Sequence, residues 1–161
     1  MIGVIQKIRI LARKNLAIRK LIAFYLVPTG LFDKVLLNKP LDRIWQERLR
    51  ITISSPDNQY IKRVKNAGDV VKGKQIMHNG IVINLGSYYG PEVARILKEN
   101  KGVHEPQEER VFQEVLDVLP KDAVMIELGA FWGFYSMWFK SKITNGINYL
   151  IEPDSFNLLI Y

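Results

Sequence analysis

Two acidic residues, Glu127 and Glu152, and the glycines between them are the side chains of this chain best spaced for chemistry. Glu127 follows the apolar run Val124-Met125-Ile126 and leads into Leu128-Gly129-Ala130-Phe131-Trp132-Gly133. Glu152 closes a second run, Asn148-Tyr149-Leu150-Ile151, nineteen residues beyond Gly133. A carboxylate at that distance from a glycine turn can accept hydrogen bonds from a ribose diol. Gly129 and Gly133 permit a tight turn and let the backbone approach a ligand where a Cβ would collide. Amide groups at the start of the next helix face the same crevice. Strand, glycine turn, helix, strand, acid is the first half of a nucleotide-binding βαβ unit.

What stands between the glycines narrows the ligand. The dinucleotide fingerprint is G-x-G-x-x-G, whereas here Ala130, Phe131 and Trp132 separate Gly129 from Gly133. Bulky aromatics crowd a pyrophosphate, and Glu127 adds negative charge where phosphates would sit. S-adenosylmethionine carries a sulfonium, an ammonium and a carboxylate but no phosphate, so an acid before an E-x-G-x-x-x-G turn suits it better than NAD. A tight βα turn without any ligand is the plain alternative, because G-x-x-x-G alone is a weak signal.

The stretch Glu127-Leu128-Gly129-Ala130-Phe131-Trp132-Gly133-Phe134-Tyr135-Ser136, followed by Ile151-Glu152-Pro153-Asp154, resembles the start of an FkbM-family methyltransferase. The resemblance covers about residues 104–154. It implies a class I S-adenosylmethionine-dependent fold, with a Rossmann-like parallel sheet, and methyl transfer to hydroxyl oxygens of sugars, polyketides and similar metabolites. Carried onto this chain, it makes Glu127, Gly129, Ala130, Phe131, Gly133 and Glu152 the cofactor-binding residues. Glu127 would serve the methionine amino end and Glu152 the ribose. The family's later strands have no counterpart before Tyr161, so the expectation is an incomplete α/β domain with weak cofactor binding at most and no turnover of its own.

Methyl transfer to a hydroxyl is helped by a general base that removes the proton. The chain has two histidines. His104, in Val103-His104-Glu105-Pro106, precedes the helix that feeds the first parallel strand and is the candidate catalytic base; His78 beside a hairpin turn is the lesser candidate. Glu105, Glu108 and Glu109 are explained as acids in the first turn of a helix, where the dipole favours them, and no metal site is expected. Tyr88 and Tyr89 are loop aromatics that could line an acceptor pocket. Six aromatics fall between Phe131 and Phe139. Most belong to a core, with Phe131 and Trp132 placed to touch a cofactor.

Composition bounds the remainder. At 161 residues, 48% hydrophobic and 24% charged, the chain can form a domain with a core. It has no Cys, which excludes disulfides and thiolate zinc sites. Its longest apolar run, Leu21 to Val27, falls far short of the roughly 20 residues that span a bilayer, and a cytoplasmic location is expected. The charge is uneven. Residues 1–74 hold 16 Lys and Arg against 5 Asp and Glu, while residues 75–161 hold 7 against 11. A basic front half suits weak contact with a membrane surface or an acidic partner. No nucleic-acid motif accompanies it, so nucleic acid is not an expected partner. A non-catalytic interaction module with a basic surface, or an NAD-linked Rossmann enzyme, are the other readings that these residues leave open.

The elements that must position these side chains follow in order. Residues 1–55 read as a basic helical segment, with a helix over 2–27, a short one over 31–37, and another over 41–50 that buries Leu41, Ile44, Trp45 and Leu49. Ser54-Ser55-Pro56-Asp57-Asn58 reads as a loop and a subdomain boundary. Residues 56–104 form a lead-in containing a β-hairpin, Ile76-Met77-His78 and Ile81-Val82-Ile83 joined by a two-residue Asn79-Gly80 turn. A helix opens at Pro91, buries Val93, Ile96 and Leu97, and stops before Gly102. Residues 105–161 are the first half of the Rossmann-like unit. Its leading helix, Pro106 to Leu119, shows an apolar stripe of Val111, Phe112, Val115, Leu116 and Leu119.

Overall fold

The computed structural model describes residues 25, 29–30, 33–87 and 90–153. Nearly all of the expected helix over 2–27, the tyrosines Tyr88 and Tyr89, and Asp154 lie outside the described residues.

The first described helices are α1 (Asp33–Leu37) and α2 (Arg43–Ser54). Asp42 caps α2, its carboxylate accepting the Trp45 amide at 3.0 Å. The expected buried side is only partly correct: Trp45 is partly buried, but Ile44 is 78% exposed. The expected loop at 54–58 is also corrected. The helix runs through Ser54, and Pro56–Gln59 forms a turn of 3₁₀ helix with Pro56 at its start, where no amide is required. Asn58 reaches back to the Thr52 and Ile53 carbonyls at 2.7 and 3.2 Å, satisfying acceptors that the end of α2 leaves open. Arg63 and Asn100 both bond Asn58, so this junction is tied into the fold.

A three-stranded antiparallel sheet follows: β1 (Val70–Val71), β2 (Lys74–Ile76) and β3 (Val82–Asn84). The hairpin is present but its register differs from the expected one. Ile76 pairs with Val82 and the Met77 amide bonds the Ile81 carbonyl at 2.8 Å, which leaves a three-residue tip of His78, Asn79 and Gly80. Gly80 takes φ 90°, as the last position of such a tip requires. The two-residue turn with two positive φ angles lies instead between β1 and β2, at Lys72 and Gly73. Lysine at that position gives no sequence signal for it.

Three further elements agree closely with expectation. The helix α3 (Pro91–Glu99) buries Val93, Ile96 and Leu97, and α4 (Pro106–Val118) feeds β4 (Val124–Leu128). A helix α5 (Phe134–Lys142) then crosses to β5 (Ile147–Ile151), which pairs parallel to β4 from Val124↔Ile147 to Leu128↔Ile151. The described chain is thus mixed α/β with a two-stranded parallel sheet, as a partial Rossmann-like fold would have. Among the described residues no helix is long and apolar enough to cross a membrane.

One core joins the two expected units. Met77, Ile83, Val93 and Leu97 of the lead-in pack with Leu116 and with Trp132, Phe134, Trp138, Phe139 and Ile143. Each fully buried side chain of this size stabilises the fold by about 2 kcal/mol. On α4 the apolar stripe is only half covered: Leu116 is buried, whereas Val111 and Val115 remain exposed. The parallel sheet is also covered on one face only. Met125, Glu127 and Asn148 are turned inward, and Val124, Ile126, Leu128, Ile147, Tyr149 and Ile151 are exposed.

Candidate functional site

The glycine turn is held by its neighbouring strand. Gly129 and Ala130 both donate their amides to the Ile151 carbonyl, at 2.8 and 3.2 Å, extending the parallel pairing one step past the strand ends. Gly133 donates to the Ala130 carbonyl, and with φ 70° it caps α5. Phe131 takes φ 49°, an uncommon conformation for an aromatic residue and one that the sequence does not announce.

The two glycines differ in what they permit. A Cβ on Gly129 would meet nothing within 4 Å, so this position opens outward as a close backbone approach requires. A Cβ on Gly133 would lie 2.8 Å from Leu150 Cδ2, so that glycine lets α5 pack against β5. Ala130 and Trp132 are buried, and Trp132 is part of the core, which corrects the expectation that its ring faces a cofactor. Phe131 is partly buried and packs against the same core.

Glu152, at the end of β5, reaches the glycine turn itself, whereas Glu127 of the adjacent β4 reaches the first turn of α5 beyond it. The Phe131 amide donates to Glu152 Oε2 at 2.7 Å. The Ser136 amide donates to Glu127 Oε2 at 3.0 Å, and the Ser136 hydroxyl donates to the same oxygen. A carboxylate bonded to an amide in the first turn of a helix is favoured by the helix dipole. Burial pushes the Glu127 carboxyl above its ordinary value, against the lowering effect of the Ser136 bonds. Asn148 joins this group from β5, its side-chain amide donating to the Ser136 carbonyl at 3.2 Å. Sequence reasoning gave Ser136 and Asn148 no role, although Ser136 closes the motif stretch and Asn148 opens the second apolar run.

A groove of about 610 Å³ runs beside β4, lined by Val111, Phe112 and Val115 of α4 and by Met125, Glu127 and Tyr135 among others. Glu127 borders it; Glu152 and the glycine turn do not.

His104 lies away from the groove lining, 7% exposed, in a buried cluster. Its Nδ1 is 2.7 Å from Glu109 Oε1, and its Nε2 is 3.4 Å from Glu105 Oε2. His78, from the hairpin tip, sets Nε2 3.0 Å from Glu109 Oε2 and Nδ1 3.1 Å from the Lys62 carbonyl. Glu109 also accepts the amides of His104 and Glu105 at 2.8 and 3.0 Å. Burial alone would push its carboxyl up, but the charge and hydrogen bonds of His104, and then of His78, hold it well below the usual carboxylate range. Glu105 is half-buried and its carboxyl is pushed up by that burial.

Glu109 stands in the first turn of α4 as expected, and it is also a wholly buried core residue. The sequence did hold a signal for this: Glu109 stands three residues before Phe112 and seven before Leu116, on the buried stripe itself. Among the described residues no group of three or more His, Cys, Asp or Glu side chains is arranged to hold a metal ion. Comparison of the chain with protein-family models, with curated proteins and with solved structures gave no match in any of the three.

Proposed function

We propose that residues 124–153 form the methyl-donor part of an S-adenosylmethionine-dependent methyltransferase acting on a hydroxyl-bearing small molecule or carbohydrate. The observation that carries this reading is a pair of carboxylates on adjacent parallel strands, Glu152 bonded to the Phe131 amide of the glycine turn and Glu127 to the Ser136 amide in the first turn of the helix that follows it. Gly129 faces open space beside them. In an α/β sheet this crevice, at the carboxyl ends of the strands, is where adenosine ligands bind. Glu152 is already a hydrogen-bond acceptor there, and a ribose diol would be a further donor to it. The turn and its flanking strands fit a donor without phosphates, since the strands bring the carboxylates of Glu127 and Glu152 and no basic side chain stands among residues 124–139. His104 is tied to Glu109 in the core and suits a positioning role better than proton removal.

Calorimetric titration of the full chain with S-adenosylhomocysteine, an unreactive relative of the donor, tests the reading. Binding is expected, with NAD binding far more weakly. Glu152→Ala should lower the affinity at least about tenfold, the value of one hydrogen bond to a charged group. Equal affinity for NAD, or an unchanged affinity in the variant, would count decisively against the assignment.

A further inference from the structure

The buried cluster of His78, Glu109 and His104 joins three separate parts of the chain and sits directly behind the glycine turn. His78 comes from the hairpin tip, His104 from the connection between α3 and α4, and Glu109 from α4. Glu109 is wholly buried, and its carboxylate engages one ring with each oxygen. Each ring also presents its second nitrogen to an oxygen acceptor, the Lys62 carbonyl for His78 and Glu105 for His104.

Both rings meet the start of α5 edge-on. The His104 and Phe134 centroids are 5.6 Å apart, those of His78 and Phe134 6.1 Å, and those of His78 and Trp138 4.6 Å. Phe134 follows Gly133 directly and packs on Trp132 of the turn at 5.2 Å. An aromatic pair of this geometry adds about 1 kcal/mol beyond area burial, enough to favour one placement of a short turn over its alternatives. The Gly102 carbonyl accepts the His78 amide at 3.1 Å, which fixes the hairpin tip against the same connection.

We propose that Glu109, by clamping His78 and His104 against Phe134, is a positioning residue that holds the glycine turn in its ligand-accepting geometry. The proposal rests on the reading of that turn as a ligand site, but the two can fail separately. Amide hydrogen exchange followed by NMR on the full chain, with and without S-adenosylhomocysteine, distinguishes them. Glu109→Gln should accelerate exchange at Gly129–Gly133 selectively and weaken ligand binding about tenfold, a coupling of ordinary size between neighbouring groups.

Phe134→Leu leaves the ionic cluster intact and removes the ring that connects it to the turn. It should reproduce the selective loosening, and it decides the matter if Glu109→Gln does not fold. If exchange at the turn is unchanged in either folded variant, or rises uniformly along the chain, the positioning role is overturned whatever the ligand result. If the turn loosens selectively while the wild type binds no adenosyl ligand, positioning stands and the methyl-donor reading falls.

Discussion

Glu109 carries the largest single-residue consequence in this fold. Its carboxylate is wholly buried between two rings, with Arg63 contributing favourably and Glu105 close by. Because its folded pKa is depressed, the stability it contributes is complete above the unfolded value of about 4.3 and is lost as pH falls toward the folded value. Glu109→Gln should therefore cost about 3 kcal/mol near neutral pH, the usual penalty for breaking a buried pair. Urea unfolding at about pH 7, 5 and 3 should show the difference between wild type and variant shrinking at the lowest pH, as the carboxylate of the unfolded chain takes up its proton while the native one stays ionised. A difference that stayed constant down to the lowest pH would refute this account. The residue was half legible in the sequence. Its place on the apolar stripe of α4 was visible, but its partner His78 lies 31 residues away in the chain, and periodicity does not report a contact of that kind. Glu127 and Glu152 were legible because each follows an apolar run that fixes where its strand ends.

At the scale of elements, similar backbone angles carry different constraints. Gly102 and Gly129 both adopt positive φ, at 80° and 70°. A Cβ on Gly102 would lie 2.3 Å from the His78 amide nitrogen, backbone against backbone, whereas one on Gly129 meets nothing. Gly102→Ala should thus cost about 3 kcal/mol, combining strain with overpacking. Gly129→Ala should cost only about 1 kcal/mol, the left-handed penalty alone, while obstructing ligand approach. Thermal unfolding of the two variants checks the order, and equal losses would contradict it. Sequence reasoning placed α3, α4, β4, α5 and β5 well, because Pro at helix starts, glycine beyond helix ends and apolar runs are local signals. It misplaced the register of the hairpin and missed β1. Asn79-Gly80 has the preferred composition for a tight turn, yet packing set a three-residue tip there and gave the two-residue turn to Lys72-Gly73.

For the whole molecule, the question is whether residues before and after position 104 behave as separate units. Sequence composition divided the chain there, since the lead-in reads as hairpin and helix and the remainder as a βαβ unit. Packing does not follow that division. Met77 of the hairpin is fully buried in the same cluster as Trp138 of α5, and Leu97 of α3 is buried with them. Neither side could keep these side chains from water without the other, and the ionic cluster of His78 with Glu109 crosses the same boundary. The described chain should therefore unfold in one cooperative step. Tryptophan fluorescence, which reports on Trp45, Trp132 and Trp138, and far-ultraviolet circular dichroism should trace superimposable urea transitions. Met77→Ala, a substitution confined to the lead-in, should lower the common midpoint by an amount corresponding to about 3 kcal/mol and shift both signals together. Two resolved transitions, or a variant that moved one signal and left the other in place, would show that the shared core does not couple the halves, and the clamp on the glycine turn would then lose its mechanical basis.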